Sequence, residues 1–127
     1  MLINFTNHPS DKWTDDQKNS AIEMYGQVKD LPFPEVPTGA EAREVIAMAD
    51  EIIDKILTMK VRIPEAESFA VMAQGEFTLT YAVVSRLKGM GITVISAVSE
   101  RVVTEWVDNG EVRKTAVFRF AGFREYA

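Results

Sequence analysis

The chain of 127 residues contains no cysteine and only one histidine. Without cysteine it forms no disulfide, no thiolate zinc site and no iron–sulfur cluster, and it carries out no thiol catalysis. A lone histidine leaves zinc to be held mainly by carboxylates, which is unusual for that metal. We therefore expect a protein that works without a metal or a cofactor.

Long apolar runs are also missing. No stretch approaches the ~18–20 apolar residues that are needed to cross a bilayer. The segment Met1-Leu2-Ile3-Asn4-Phe5 lacks the charged lead and long apolar core of a signal peptide. These features predict a cytoplasmic protein without a membrane partner.

Positive charge is scarce. Fourteen Lys and Arg residues stand against nineteen Asp and Glu residues, which gives a formal net charge of −5. A general DNA or RNA binder normally presents a basic surface, so a long nucleic acid is a disfavoured partner. A nucleotide-sized anion needs only a few donors and helix N-termini, so small phosphorylated ligands remain compatible with this composition.

The apolar pattern alternates between strands and helices over one predicted domain, residues 1–127. Four apolar segments read as strands: Leu2–Thr6, Val28–Leu31, Ser68–Ala73 and Ile92–Val98. The intervening segments carry helix signals, including capping boxes at Thr14 with Gln17 and at Thr38 with Glu41, and a helical face that begins at Phe77, Tyr81 and Val84. This βαβαβαβ order predicts parallel strands joined by right-handed crossovers.

The C-terminal segment follows a different pattern. Val102–Val107 and Val112–Phe120 flank Asn109-Gly110, which is a strong signal for a hairpin turn. The predicted fold is therefore a small Rossmann-like α/β sheet, mostly parallel, with a C-terminal antiparallel β-hairpin.

Ligands of open parallel sheets bind beyond the carboxyl ends of the strands. Three segments leave the predicted strands at that edge: Asn7–Trp13, Gln74–Thr78 and Ser99–Arg101. They are rich in hydrogen-bond donors and acceptors, whereas the strands before them are apolar. We expect the three segments to form one site.

Three residues are candidates for catalysis. Histidine is the side chain that exchanges protons near neutral pH, so His8 is a candidate to move a proton, although a histidine beside Pro9 also suits a turn. Glu76 is an alternative acceptor, whose pKa we expect to be low because it begins a helix. Arg101 suits a bidentate grip on phosphate or a pair with Glu100.

The candidate ligand-binding residues lie in the same three segments. Gly75 permits close backbone approach and leaves amides free at the start of a helix, and Trp13 is suited either to packing or to stacking on a base. The chain has no G-x-G-x-x-G or Walker motif, which disfavours dinucleotide cofactors and NTP hydrolysis. The full predicted set is Asn7, Ser10, Trp13, Gln74, Gly75, Thr78, Ser99 and Glu100.

The same segments resemble a known group of proteins. Asn7-His8-Pro9-Ser10 with Trp13 and Gln17, followed by Asp30-Leu31-Pro32-Phe33-Pro34, Gln74-Gly75-Glu76-Phe77-Thr78 and Ser99-Glu100-Arg101, is similar to the small CRISPR-associated Rossmann-fold proteins of type III systems. Those proteins resemble the nucleotide-sensing CARF domains, and several are ring nucleases. The resemblance runs from Leu2 to Tyr126.

The resemblance implies a function in antiviral signalling. A ring nuclease opens cyclic tetra-adenylate by attack of a ribose 2′-OH on the adjacent phosphate, without metal, and gives linear adenylates that end in 2′,3′-cyclic phosphate. A four-fold ring also suits a homodimer with the ligand on its two-fold axis. Two alternatives stay open: a protein that sequesters the ring without cutting it, and a partner-binding protein without a nucleotide ligand.

Overall fold

Strands and helices alternate along residues 1–127, all of which are described by a computed structural model. The elements in chain order are β1 Leu2–Thr6, α1 Asp15–Tyr25, β2 Val28–Asp30, α2 Ala42–Lys60, β3 Ala70–Gln74, α3 Phe77–Gly89, β4 Thr93–Asp108 and β5 Glu111–Glu125, with a single 3₁₀ turn at Ser10–Lys12. The strands form one sheet in the order β2-β1-β3-β4-β5. The first four strands are parallel and β5 is antiparallel to β4. The predicted fold class is confirmed.

The sheet is packed on both faces. On one face, α2 and α3 bury Ile3, Phe5, Val71 and Val94 in a cluster of 17 residues. On the other face, α1 and Trp13 cover a smaller cluster of six, which includes Met72. Burial on both faces explains why β1 and β3 are continuous apolar runs. None of the three helices is long and apolar enough to cross a membrane.

The two predicted helix starts have different outcomes. Thr14 caps α1 by accepting a hydrogen bond from the Gln17 amide, as expected, and Gly26 ends the helix at φ 86°. The capping box at Thr38 is wrong, because α2 begins at Ala42 and its N-cap, Glu41, makes no side-chain cap. The Glu41 carboxylate instead pairs with Arg43 at 3.2 Å.

The exposed face of α3 also differs from the prediction. Phe77 and Tyr81 are 89% and 75% exposed, whereas Leu79, Val83 and Leu87 are buried. The Glu76 side chain caps the helix and fixes where its first turn begins. The buried stripe therefore starts at Leu79, two residues later than the pattern indicated.

The largest correction concerns the hairpin. Ser99-Glu100-Arg101 does not follow a strand; it lies within β4, where Ser99 pairs with Phe120 and Arg101 with Phe118 after a register shift at Val98/Ser99. Backbone partners on β5 keep this polar segment extended, although the apolar pattern of the strand ends at Val98. The predicted turn is confirmed, with Asn109 at φ 51° and Gly110 at φ 80°, as a type I′ hairpin requires. We call the two-stranded part from Arg101 to Phe118 the ribbon.

Candidate functional site

A cleft of about 460 Å³ opens at the carboxyl edge of the sheet, on the side of α1. It brings together six of the predicted site residues: Asn7, His8, Trp13, Gln74, Gly75 and Ser99. The eight other lining residues are Thr6, Lys12, Thr14, Gln17, Met72, Ala97, Phe118 and Phe120. A second and larger pocket of about 560 Å³ lies between α2 and α3, but its lining is mostly apolar and includes only Thr78 from the predicted set.

A buried polar network fixes the loop that carries His8. Asn4, which is 1% exposed, donates from Nδ2 to the His8 carbonyl at 2.9 Å and to the Asp30 carboxylate at 2.8 Å. The Trp13 indole N–H donates to the same carbonyl at 3.1 Å, and the His8 amide donates to the Thr6 hydroxyl at 3.1 Å. The backbone of His8 is thus held from several sides. Its imidazole makes no hydrogen bond within the chain and is exposed, so it is free for a ligand.

Ser10 and Trp13 stabilise the loop that carries His8 more than they contribute to the cleft. The Ser10 amide and hydroxyl both donate to the Asp30 carboxylate, at 3.1 and 3.0 Å, and Ser10 does not line the cleft. Trp13 lines the cleft but is only 4% exposed. Its ring is packed against the sheet, and it offers no open face to a base.

Gln74 closes the sheet below the cleft. Its Oε1 accepts from the Ala97 amide at 2.9 Å, and its Nε2 donates to the Ala97 carbonyl at 3.4 Å. The backbone register between β3 and β4 ends at Met72 and Ile95, so this side chain extends the pairing by one more step. Both polar atoms of the Gln74 side-chain amide therefore bond to the sheet.

Glu76 is committed to α3. Its carboxylate accepts from the Thr78 amide at 2.9 Å and the Leu79 amide at 2.8 Å, and the Thr78 hydroxyl donates to it at 2.7 Å. The bonds from the Leu79 and Thr78 amides lower the pKa of Glu76, which confirms the expected direction. Of the amides after Gly75 that we expected to be free, those of Thr78 and Leu79 are occupied by this carboxylate. Neither Glu76 nor Thr78 lines the cleft.

Gly75 is required by packing. A Cβ at this position would lie 2.4 Å from the ring of Phe33, which stacks on Phe5 with centroids 4.6 Å apart. The proline-flanked loop that carries Phe33 thus passes directly over the turn between β3 and α3. The close approach that the sequence predicted at Gly75 is that of a phenylalanine ring.

Alternation along β4 separates the last three predicted residues. Ser99 lines the cleft, whereas Glu100 lies on the opposite face, across from Arg119. Arg101 returns to the face of Ser99 and lies one step further out, opposite Phe118, without lining the cleft.

The charge of the cleft differs from that of the chain. Although nineteen residues are acidic, none of the fourteen lining residues is Asp or Glu. Lys12 and His8 are its two basic residues, and the side chains of Asn7, His8, Lys12 and Ser99 make no hydrogen bond within the chain. No group of three or more His, Asp or Glu side chains is arranged as a metal site. The cleft therefore offers donors and no competing carboxylate to an anion.

Sequence reasoning missed the outer wall, which consists of Phe118 and Phe120. These residues come from β5 of the hairpin, where they pair with Ser99 and Arg101 of β4. One signal was present: counting residue pairs outward from the Asn109-Gly110 turn places Phe120 opposite Ser99 and Phe118 opposite Arg101.

Comparison with known proteins identifies the family of the chain. The model of the uncharacterized protein MJ1673 family matches residues 1–124, and the chain belongs to that family. No curated protein and no solved structure matches it.

Proposed function

We propose that this protein is a ring nuclease, which binds cyclic tetra-adenylate at the cleft and opens it, so that type III CRISPR signalling ends. The observation that carries the proposal is an acid-free cleft with free donors, at the carboxyl edge of a parallel sheet, in a chain of net charge −5. The motif resemblance to CARF-like ring nucleases supplies the identity of the ligand. A cytoplasmic location follows from this role.

The proposed chemistry uses the ribose hydroxyl of the substrate as the nucleophile. The 2′ oxygen attacks the adjacent phosphorus, the bond from phosphorus to the 5′ oxygen breaks, and the product ends in a 2′,3′-cyclic phosphate. His8 takes the proton of the 2′-OH, because its imidazole is the one side chain in the cleft suited to proton transfer near neutral pH, and the leaving 5′ oxygen takes up a proton from water. Lys12 and the donors of Asn7 and Ser99 stabilise charge on the phosphoryl oxygens.

The proposed active form is a homodimer. A cleft of about 460 Å³ accommodates part of a four-nucleotide ring. The same cleft in a second copy, related by a two-fold axis, accommodates the rest. The ribbon supplies a suitable contact, since Val103, Val107 and Val112 lie on one face of it and are 48–72% exposed. A two-stranded ribbon alone is at best marginally stable in water, so burial against a second copy stabilises it.

The test is cleavage in the absence of metal. Purified protein is incubated with cyclic tetra-adenylate and EDTA, and the products are resolved by chromatography and mass spectrometry. The proposal predicts linear adenylates with a terminal 2′,3′-cyclic phosphate. A ring that stays intact at excess protein contradicts the enzymatic proposal.

One observation favours a second candidate, a protein that sequesters the ring. The carboxylate of Glu76, the alternative proton acceptor in the sequence prediction, is occupied by α3, so His8 is the one candidate that remains for proton transfer. Stoichiometric binding of an intact ring, without turnover, would favour this function.

A further inference from the structure

Phe118 is an exposed aromatic residue on the outer wall of the cleft. It lines the cleft, yet its side chain is 74% exposed. Its neighbour on the same wall, Phe120, packs edge-to-face on Phe123 with centroids 5.1 Å apart, whereas the Phe118 ring contacts no other aromatic ring. The outer wall of the cleft therefore has one aromatic residue that packs on a second ring, Phe120, and one that does not, Phe118.

The residue that the sequence favoured for stacking is not available for that role. Trp13 is 4% exposed, and its indole nitrogen is bound to the His8 carbonyl. Among the aromatic residues that line the cleft, Phe118 presents the largest open surface.

Arg101 lies directly across the ribbon from Phe118. Directly opposed side chains have Cβ atoms about 4.5–5.5 Å apart, so the ring and the guanidinium are neighbours on one face. The cations nearer the tip of the ribbon are paired: Lys114 with Glu105 at 3.2 Å, and Arg113 with Glu111 at 3.4 Å. Arg101 has no acidic partner in the chain.

We infer that Phe118 stacks on a purine base of the bound ligand and that Arg101 holds a phosphate attached to the same nucleotide. An exposed ring beside an unpaired guanidinium matches the two parts of a nucleotide, because a base stacks on an aromatic face and a phosphate accepts two bonds from arginine. The inference rests on the proposed function and extends it, since it assigns substrate recognition to the ribbon. It also gives Arg101 a binding role outside the inner cleft.

The test compares substitutions of two exposed phenylalanines. Phe118→Ala removes the proposed platform, Phe118→Trp keeps it, and Phe77→Ala removes an aromatic side chain that is 89% exposed and does not line the cleft. Binding is measured by calorimetry with cyclic tetra-adenylate that carries 2′-deoxyribose, which has no hydroxyl to attack the phosphate. Circular dichroism and melting curves of each variant verify that it is folded.

The inference predicts that Phe118→Ala weakens binding by roughly 5- to 150-fold, the range expected for loss of one stacked base. Phe118→Trp and Phe77→Ala keep the affinity of the unmodified protein within about threefold, well under the 1.4 kcal/mol of a tenfold change. Arg101→Gln also weakens binding and reduces its salt dependence, because one phosphate contact is lost.

Two negative results have different meanings. If the unmodified protein binds the ring and Phe118→Ala binds it equally well, the inference is overturned and the proposed function stands. If the unmodified protein binds no ring at all, the proposed function fails, and the assignment of Phe118 fails with it.

Discussion

At the scale of single residues, the fold holds the His8 backbone and leaves its imidazole free. The His8 carbonyl accepts bonds from Asn4 and Trp13, and the His8 amide donates to Thr6. All of these bonds involve backbone atoms of His8, so alanine at this position preserves them. Substitution of His8 by alanine therefore removes the imidazole and keeps the structure of the loop.

We predict that His8→Ala lowers the single-turnover rate of ring cleavage by roughly 10²–10⁴-fold and leaves the affinity for the ring nearly unchanged. Its melting temperature stays close to that of the unmodified protein, because the loop network is intact. Single-turnover kinetics, equilibrium binding and thermal unfolding are measured on the same preparation. An unchanged rate would leave substrate positioning as the mechanism and remove the general base.

Glu76 is a carboxylate that could accept a proton, but the folded protein uses it to cap α3. Hydrogen bonds from the amides of Leu79 and Thr78 lower its pKa below the ordinary value of 4.5. The charged form is therefore stabilised in the folded protein more than in the unfolded chain. This stabilisation is complete above pH 4.5 and is lost as the pH falls through the lower pKa of the folded state.

We expect Glu76→Gln to melt at a lower temperature than the unmodified protein at pH 7, with a difference that shrinks below pH 4.5. Glu35→Gln is the control, since Glu35 is exposed and makes no ion pair or hydrogen bond. Melting curves between pH 3 and 7 measure both differences. A difference for Glu76→Gln that does not change with pH would refute the role of the charged cap.

At the scale of elements, the turn from β3 to α3 depends on its contact with the proline-flanked loop. Phe33 rests on Phe5 and leaves no space for a side chain at Gly75. The stacking restrains the Phe33 ring, so an added methyl group at Gly75 is not easily accommodated. This contact also fixes one wall of the cleft.

We predict that Gly75→Ala destabilises the protein by about 1–3 kcal/mol, the usual cost of overpacking. Gly39→Ala is the matched control, because a Cβ at Gly39 meets no atom within 4 Å. The cost of Gly75→Ala falls in a Phe33→Ala background, since the clash is removed. Urea unfolding of the four members of this cycle measures the coupling; equal costs in the two backgrounds would argue against it.

The elements were largely predictable because periodicity and turn chemistry are local. Three features follow from patterns a few residues long: the strand Leu2–Thr6, the cap of α1 at Thr14 and the turn at Asn109-Gly110. The continuation of β4 through Ser99–Arg101 was not predictable in this way, because it depends on partners about twenty residues away in β5. The same separation hid Phe118 from the predicted site.

The position of the candidate site was predictable from the sequence, but the roles of its residues were less so. The edge rule gathered Asn7, His8 and Gln74, because the parallel strands β1 and β3 end at the same edge, whereas Ser99 reaches the cleft from within β4. The roles of Gln74 and Glu76 depend on the hydrogen-bond partners that surround each side chain in the folded chain. Both side chains are bound to neighbouring backbone, and only tertiary structure reveals that.

At the scale of the whole molecule, an acid-free cleft adjoins a ribbon with exposed valines. Val107 and Val112 face each other near the tip of the ribbon and are 72% and 64% exposed. Replacing them by the opposed pair Val107→Glu and Val112→Lys keeps a favourable cross-strand contact and removes the apolar surface. We expect this double variant to be a folded monomer.

The most direct measurement is native mass spectrometry of the unmodified protein with 2′-deoxy cyclic tetra-adenylate in the presence of EDTA, beside the double variant. The account predicts one intact ring per two chains, and loss of that complex in the double variant. No bound ring, or one ring on each single chain, would contradict it.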